Sequence, residues 1–317
     1  MLTDEIMVSI ICNAYNHERY IAQCLDGFVM QKTNFAFEIL VHDDASTDKT
    51  ADIIREYEKK YPHLMKPIYQ TENQYSKGGV FRFQYPRVKG KYIAICEGDD
   101  YWTDPLKLQK QYDAMELHPE VDMCVHASVC IDDRTGRRKK IIAPERCDCI
   151  IPVEAVICGG GGFVATSSHF YRAEMNKSIP PFRQMMQLDY TTQIHGALRG
   201  GMLYLNECMS VYRLMAVGSW STRMQLNPER RKAHEERVVK ILRQLDVDTG
   251  GAYHEAIENK LMWNEFDQRK DMNVGKDLLD AKYRKCMERL PRSERLKIYL
   301  KVYFPWLSKI YRRLRNG

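Results

Sequence analysis

Polar side chains cluster directly after three apolar segments of the chain, in a pattern that suits a charged ligand. They are, in chain order, Asn13, Tyr15 and Asn16, then Asp43 and Asp44, then Glu97, Asp99 and Asp100. A single acidic turn is usually a solvated turn or a helix cap. Several carboxylates brought together repel one another unless a cation lies among them, and hard oxygen ligands favour Mg²⁺ or Mn²⁺. The three clusters predict a divalent cation shared with a substrate phosphate.

Each cluster follows a segment with the pattern of a buried strand, and helical segments lie between them. Strands are predicted at 6–12, 38–42, 91–96 and 121–127. Helices are predicted at 21–29, after a cap at Ser46 or Thr47, and after the pair Asp104-Pro105. This alternation indicates a parallel α/β sheet, whose ligands bind at the carboxyl ends of the strands. The sheet would therefore bring the three polar clusters together.

No glycine-rich phosphate loop accompanies these acids. The chain lacks GxxxxGK[ST], and it lacks GxGxxG between the first strand and its helix. The four glycines at 159–162 do not follow a strand and precede a helix, so they are interpreted as a loop. A metal ion would then have to neutralise the phosphates of a bound nucleotide.

Composition and charge exclude several protein classes. The chain has 317 residues, 44% hydrophobic and 28% charged, so disordered, collagen-like and coiled-coil proteins are excluded. The formal net charge is +6, but residues 291–317 alone carry eight basic residues against one acid, so the remainder sums to −1. Because the basicity lies in this tail, no nucleic-acid partner is expected.

The sequence predicts a cytoplasmic protein. No apolar run approaches the ~20 residues of a membrane span, and no basic segment precedes the first apolar run, so neither a span nor a secretory leader is expected. The ten cysteines form no CxxC pair, and Cys12, Cys96 and Cys124 fall in strand-like segments, which favours buried, reduced thiols. The segment Cys147-Asp148-Cys149 could bind a metal, although no second Cys/His pair follows it.

The basic tail, residues 291–317, predicts an amphipathic helix at a membrane surface. Apolar residues recur at spacings of three or four, at Leu296, Leu300, Tyr303, Leu307, Ile310 and Leu314. Each basic residue near an anionic surface contributes ~1 kcal/mol of attraction. The alternative is a final helix that packs on the rest of the protein and leaves its charges solvated.

Taken in order, the segments VSIICNAYN, EILVHDDASTDKT and GKYIAICEGDDYW resemble a family 2 glycosyltransferase of the GT-A fold, of the type that assembles bacterial polysaccharides. The later segment Gln187-Leu188-Asp189-Tyr190 resembles the acidic motif of that family. Val211-Tyr212-Arg213 followed by Gly218-Ser219-Trp220-Ser221 resembles its closing segment. The resemblance extends from residue 6 to about residue 225.

The resemblance implies a fold and a division into domains. A GT-A catalytic domain over 1–225 would have a Rossmann-like, mostly parallel sheet flanked by helices. Beyond the resemblance, the helical pattern from residue 227 onward predicts a helical extension over 226–290, and Pro291 separates it from the tail at 291–317.

The resemblance also implies how the donor nucleotide is bound. Tyr15 would stack on the base, and Asn13 and Asp44 would hydrogen-bond to its edge. Asp43 would either cap its turn or contact the ligand.

The acidic turn after the third strand would bind the metal, Mn²⁺ or Mg²⁺. Glu97 and Asp99 take the place of the family's DxD pair, with Asp100 beside them. Asp99 is the first candidate ligand and Asp100 the second, and the resemblance leaves open which of these acids holds the metal and which the ribose.

Asp189 would be the catalytic base, with a helix N-cap as the alternative. Arg213 would clamp the phosphates, and Arg82 would be a weaker clamp or a solvated surface arginine. The family often has a histidine two positions after the arginine of the closing motif, and Met215 stands there. A thioether is a poor ligand for Mg²⁺ or Mn²⁺.

The implied activity is an inverting, metal-dependent transfer of a sugar from a nucleotide-sugar donor, most simply a UDP-sugar, to a hydroxyl of a glycan or lipid-linked acceptor. The setting would be surface polysaccharide synthesis, peripheral to the inner face of the cytoplasmic membrane. A sugar nucleotidyltransferase is one alternative, but it needs a glycine-rich loop after the first strand, and residues 13–19 contain no glycine. The other alternative is an inactive nucleotide-sugar-binding protein, and only Met215 favours it.

Overall fold

The computed structural model describes residues 3–186, 188–271 and 276–304. The chain divides into two compact units, Met1–Gly251 and Ala252–Gly317. The first unit thus extends beyond the boundary predicted at 225. The reason is a helix at Pro228–Asp248, whose Asp248 accepts the Phe182 N–H at 2.8 Å. Gln187 of the acidic motif and residues 305–317 of the basic tail lie outside the described residues.

The described strands form one mixed sheet in the first unit. They are β1 (Thr3–Ala14), β2 (Phe35–Asp43), β3 (Ile68–Tyr69), β4 (Tyr92–Ile95), β5 (Tyr101–Trp102), β6 (Met123–Asp132), β7 (Arg137–Ile142), β8 (Cys149–Ile151), β9 (Phe170–Arg172) and β10 (Met202–Leu214). Their order is β3-β2-β1-β4-β9-β6-β10-β5, with β7 paired to β6 and β8 to β10.

The two halves of the sheet differ in strand direction. β1 is parallel to β2 and β4, and β2 is parallel to β3, as the alternation of strands and helices predicts. Beyond β4 the sheet is mixed: β9 is antiparallel to β4 and β6, whereas β6 and β10 are parallel. The predicted α/β fold with flanking helices is confirmed. The antiparallel strands β5, β7, β8 and β9 are an addition to it.

The described α-helices are α1 (Ile21–Val29), α2 (Thr50–Lys60), α3 (Phe81–Gln84), α4 (Lys107–Leu117), α5 (Val153–Gly159), α6 (Pro181–Gln184), α7 (Asp189–Ala197), α8 (Trp220–Leu226), α9 (Pro228–Asp248), α10 (His254–Asp271), α11 (Arg284–Arg289) and α12 (Arg292–Tyr303). Helices from residue 227 onward are predicted by the sequence, and the described part of that region is indeed helical.

Two helices begin later than their predicted caps. The side chain of Asp104 accepts the Leu106 N–H at 2.8 Å in a turn, and α4 starts only at Lys107. Ser46 and Thr47 do not cap α2, which starts at Thr50. Residues 132–136 form the turn of a hairpin, since Asp132 of β6 lies opposite Arg137 of β7.

The main core lies between the sheet and its helices. It includes Ile10 and Cys12 of β1, Phe28 of α1, and Trp102 of β5, all buried. Cys12, Cys96 and Cys124 are buried, unpaired thiols, as predicted.

The second unit has a small core of its own. Phe266 of α10, Tyr283, and Cys286 of α11 form its centre, and Ile298 of α12 packs against them. Over the described residues, no helix has both the length and the apolar character needed to cross a membrane.

Candidate functional site

Two loops at the carboxyl ends of β1 and β2 are bonded to each other. Residues 15–19 follow β1 and residues 44–49 follow β2. The bonds are Asn16 N–H to Ser46 Oγ (3.0 Å), His17 N–H to Thr50 Oγ1 (2.7 Å), Glu18 N–H to Asp48 (3.0 Å), Thr47 N–H to Asn16 Oδ1 (2.8 Å) and Lys49 N–H to Glu18 (3.1 Å). The polar groups expected to cap α2 therefore hold the two loops in place.

Asn13 and Tyr15 lie where β1 ends. Asn13 is buried, and its Nδ2 donates to Glu97 Oε1 at 3.3 Å while its Oδ1 accepts from Gln84 Nε2 at 3.4 Å. Tyr15 is 42% exposed, which leaves its ring open to a stacking partner. Asn13 thus links the first polar cluster to the third.

Asp43 and Asp44 are both buried at the end of β2. The Asp43 carboxylate accepts the Ser46 N–H at 3.3 Å, which is the turn-capping alternative of its prediction. Burial raises the pKa of Asp43, and the bonds from Ser46 partly offset this. Asp44 accepts the N–H groups of Gln74 (2.7 Å) and Tyr75 (3.0 Å), so it fixes the segment after β3.

Three carboxylates from two distant segments lie near the end of β4, two of them within electrostatic range of the third, Glu97. Burial, together with the negative charges of Asp189 and Asp99, raises the pKa of Glu97 to about 8, and the hydrogen bonds to Asn13 offset part of this rise. Asp189 is the first residue of α7, is exposed to solvent, and accepts a hydrogen bond from the Thr166 hydroxyl. Although Asp189 is accessible, nearby protein atoms partly desolvate its carboxylate and raise its pKa, and the hydrogen bond from Thr166 offsets part of this rise. The fold therefore places Asp189, the predicted base, within electrostatic range of Glu97 in the acidic turn.

The turn at 97–100 is held tightly by its surroundings. Asp100 is buried, its Oδ1 accepts the Arg213 N–H at 2.8 Å, and burial raises its pKa well above the ordinary value. Asp99 is half-buried, and its carboxylate makes no hydrogen bond to any described residue. Gly98 packs against a neighbouring loop, because a Cβ there would lie 2.7 Å from Nδ1 of His17.

The guanidinium of Arg213, the predicted phosphate clamp, already bonds to other groups of the protein. Its guanidinium donates to the Asp99 carbonyl and to Gln23 Oε1, and it lies 4.5 Å from the ring of Tyr101 and 5.1 Å from that of Tyr20. Arg213 is only 6% exposed. In this structure it positions the acidic turn.

Arg82, the weaker clamp candidate, is not brought to the acidic turn by any described contact. Its Nη2 donates to Gln74 Oε1 at 2.7 Å, and its guanidinium lies 4.8 Å from the ring of Phe83. It is exposed at the edge of the segment that precedes β4.

Sequence reasoning missed Tyr75 and Arg223. The guanidinium of Arg223, in α8, lies 5.6 Å from the centre of the Tyr75 ring. The charges of Glu97 and Asp189 act on Tyr75, and that of Arg223 acts on His17. Arg223 follows the closing motif by two residues, and that position is the only signal that could have indicated it.

Among the described residues, no group of three or more His, Cys, Asp or Glu side chains is arranged to hold a metal ion. The Cys147-Asp148-Cys149 segment is no exception, since Asp148 accepts the Asn206 N–H at 2.7 Å. The uncommitted carboxylate of Asp99 still suits Mg²⁺ or Mn²⁺, which commonly take most ligands from water and substrate phosphates. The site fits a cation shared with substrate and not one enclosed by the protein.

The family model described as "Glycosyl transferase family 2" matches residues 9–204. The chain belongs to glycosyl transferase family 2. This match runs from β1 into β10 and so includes the acidic turn and Asp189.

Two relatives illustrate the sequence identity between this family 2 chain and other proteins, and the share of each chain that it covers. "Uncharacterized protein Rv1520" of Mycobacterium tuberculosis is 37% identical over 231 residues, which are 73% of this chain and 64% of that protein. "Putative teichuronic acid biosynthesis glycosyltransferase TuaG" of Bacillus subtilis is 29% identical over 66% of this chain and 79% of its own length. The chain thus spans just under two thirds of the first relative.

A solved structure gives the fold of this family 2 chain independently of sequence. Staphylococcus aureus TarS, residues 1–349 in complex with UDP-GlcNAc, superposes with a TM-score of 0.65. The superposition covers 96% of this chain and 92% of that one at 15% sequence identity. The similarity confirms the predicted GT-A fold.

Proposed function

We propose that the chain is an inverting glycosyltransferase that moves a sugar from a nucleotide-sugar donor to a hydroxyl of a glycan or lipid-linked acceptor. The observation that carries the proposal is that Asp189 and Asp99 both lie within electrostatic range of Glu97, at the carboxyl end of β4. A base placed beside an uncommitted carboxylate, at the edge where α/β sheets bind ligands, is what such a transfer needs.

The donor is proposed to be a UDP-sugar. The exposed Tyr15 ring would stack on the base, with Asn13 and Asp44 at the base edge and Asp43 bracing the turn. TarS was solved in complex with UDP-GlcNAc, and this supports a uridine nucleotide for a chain of the same fold. Arg82, at the rim of the same segment, would approach the donor only from the solvent side.

In the proposed reaction, Asp189 removes the proton of the acceptor hydroxyl while that oxygen forms a bond to the anomeric carbon. The bond from this carbon to the diphosphate oxygen breaks, and its electron pair goes to that oxygen. One displacement inverts the anomeric configuration. A bound Mn²⁺ or Mg²⁺, held by Asp99 with Asp100 and Glu97 nearby, would supply charge stabilisation to the phosphates.

The two alternatives are less well supported. A nucleotidyltransferase would bind triphosphate in a flexible loop after β1, but residues 15–19 are bonded to the loop after β2. An inactive binding protein would not need a base, yet an acid, Asp189, lies within electrostatic range of Glu97 in the acidic turn.

The proposed setting is the assembly of a surface polysaccharide at the inner face of the cytoplasmic membrane, as a peripheral protein. The name of TuaG supports polysaccharide assembly. One face of α12 supports the membrane contact: Leu296, Tyr299, Leu300 and Tyr303 are exposed there, while Ile298 on another face is buried. Basic residues flank this exposed face, so an anionic lipid surface complements it.

The test is nucleotide release from a panel of UDP- and GDP-sugars, with and without Mn²⁺. Asp189→Asn should lower the rate by about 10²–10⁴-fold, because the base is lost, and should leave UDP affinity unchanged. Asp113→Asn, an exposed acid on α4, is the matched control. Equal rates for the two variants would remove Asp189 from the reaction.

A further inference from the structure

A nucleotide-sugar donor brings a diphosphate to an edge of the sheet that is already acidic. Glu97, Asp99 and Asp189 all lie there, so positive charge must come from elsewhere. Arg213 is buried, and its guanidinium already bonds to the Asp99 carbonyl and Gln23 and lies beside two aromatic rings, so its position is set by the protein.

Arg223 is a positively charged residue near this site, and one of its N–H groups donates to no described residue. Its Nε is buried, and no described residue accepts a hydrogen bond from it. Its guanidinium rests near the Tyr75 ring, at 5.6 Å from the ring centre. Since Arg offers a planar fork of N–H groups that fits phosphate, an Arg with a free donor is suited to bind one.

The backbone that carries the Tyr75 ring is held in place. Asp44 accepts the backbone N–H groups of Gln74 and Tyr75, which ties this segment to the end of β2. Cation–π attraction contributes ~0.5–1 kcal/mol at partly exposed sites. The guanidinium is therefore oriented before any ligand arrives.

The same arrangement places Arg223 within electrostatic range of the acidic turn. Its charge acts on His17, which packs on Gly98 between Glu97 and Asp99. On the other side, the charges of Glu97 and Asp189 reach Tyr75. A diphosphate bound at this turn would therefore be close enough to interact with the positive charge of Arg223.

We propose that Arg223 binds the diphosphate of the donor and neutralises the charge that develops on it as the sugar leaves. The inference rests on the proposed function, and it identifies Arg223 as the positively charged side chain of that site. It also explains how Met215 can replace a histidine ligand: the leaving group has an arginine partner that does not depend on a metal.

The test is calorimetric titration of the full chain with UDP and UMP, and with GDP and GMP, in EDTA and in Mn²⁺. Arg223→Met keeps much of the aliphatic stem over Tyr75 but removes the charge. It should weaken diphosphate binding in EDTA by roughly tenfold, about 1.4 kcal/mol, and change monophosphate binding little. Arg230→Met, an exposed arginine on α9, is the matched control and should change neither.

Different results would overturn different claims. Equal UDP affinity of Arg223→Met and Arg230→Met would overturn the role of Arg223 and leave the proposed transfer intact. If the unaltered chain binds no nucleotide under any condition, the proposed function falls and the inference with it. Arg223→Lys provides a second check if Arg223→Met does not fold: it keeps the charge, loses the fork, and should weaken UDP but not UMP.

Discussion

Lys107 is a buried cation outside the proposed site, and it makes the stability of the fold depend on pH. Its side chain is fully buried, donates to Gln111 Oε1 at 2.6 Å, and lies 3.9 Å from the centre of the Trp102 ring. Burial lowers the pKa of Lys107 from 10.5 to about 7. Between these two values the unfolded chain holds a proton that the folded chain lacks, so stability rises with pH.

We therefore expect Lys107→Met to flatten the dependence of unfolding free energy on pH between about 7 and 10. The limit for one proton is about 1.4 kcal/mol per pH unit. Urea unfolding of both proteins at pH 7, 8 and 9 measures the difference in slope. The slope is compared instead of the free energy at one pH, because Lys107→Met also removes the hydrogen bond to Gln111 and so changes the free energy of unfolding apart from the titration. Parallel lines for the two proteins would show that Lys107 is protonated in the fold.

Individual residues also show how far sequence reasoning reaches. The acids at 97–100 and Asp189 could be predicted because each stands in a short motif. The hydrogen-bond partners of Arg213 could not be predicted, because Asp99 and Gln23 are 114 and 190 positions away from it in sequence. A motif identifies which residue is present, and the fold determines whether its donors are free.

At the scale of elements, the loops of the site carry the backbone strain. Among the described residues, the non-glycine residues with positive φ are Asn16 (56°), Ala45 (62°) and Met215 (65°). Each follows a predicted site residue by one or two positions: Tyr15, Asp44 and Arg213. Left-handed backbone costs roughly 1–2 kcal/mol for such residues and persists where the surroundings impose it. The strands could be predicted from periodicity, but these conformations depend on contacts between loops.

The turn between β4 and β5 depends on the absence of a side chain at residue 98. A Cβ on Gly98 would lie 2.7 Å from His17 Nδ1 and 3.2 Å from both Ala14 Cβ and Ile21 Cδ1. Gly98→Ala should therefore lower the free energy of unfolding by roughly 1–3 kcal/mol and weaken UDP binding, because Asp99 moves with the turn.

The matched control for the turn is Gly162→Ala. A Cβ on Gly162 meets no atom within 4 Å, so this substitution should leave stability and UDP binding close to their original values. Urea unfolding and calorimetric titration measure both effects. If Gly98→Ala is as stable as Gly162→Ala, the packing of His17 on the turn does not constrain it.

At the scale of the whole molecule, the sequence predicts an α/β body followed by helices, and the structure has both. The boundary could not be predicted from composition, because α9 is helical like the second unit but is bonded to α6 of the first. The second unit then presents an unusual surface. Ile298 and Val302 pack α12 on its core, while four apolar residues on another face stay exposed, Leu296, Tyr299, Leu300 and Tyr303.

We expect the full chain to bind anionic vesicles through this face of α12. In co-sedimentation with phosphatidylglycerol-containing vesicles it should pellet, and with pure phosphatidylcholine it should not, since each basic residue contributes ~1 kcal/mol only at an anionic surface. The triple variant Leu296→Ser, Leu300→Ser and Tyr303→Ser should stay in the supernatant and still bind UDP. Its control replaces three exposed apolar residues of the first unit, Leu226, Val239 and Val247, with serine. Equal pelleting of the two variants would show that α12 does not contact the membrane.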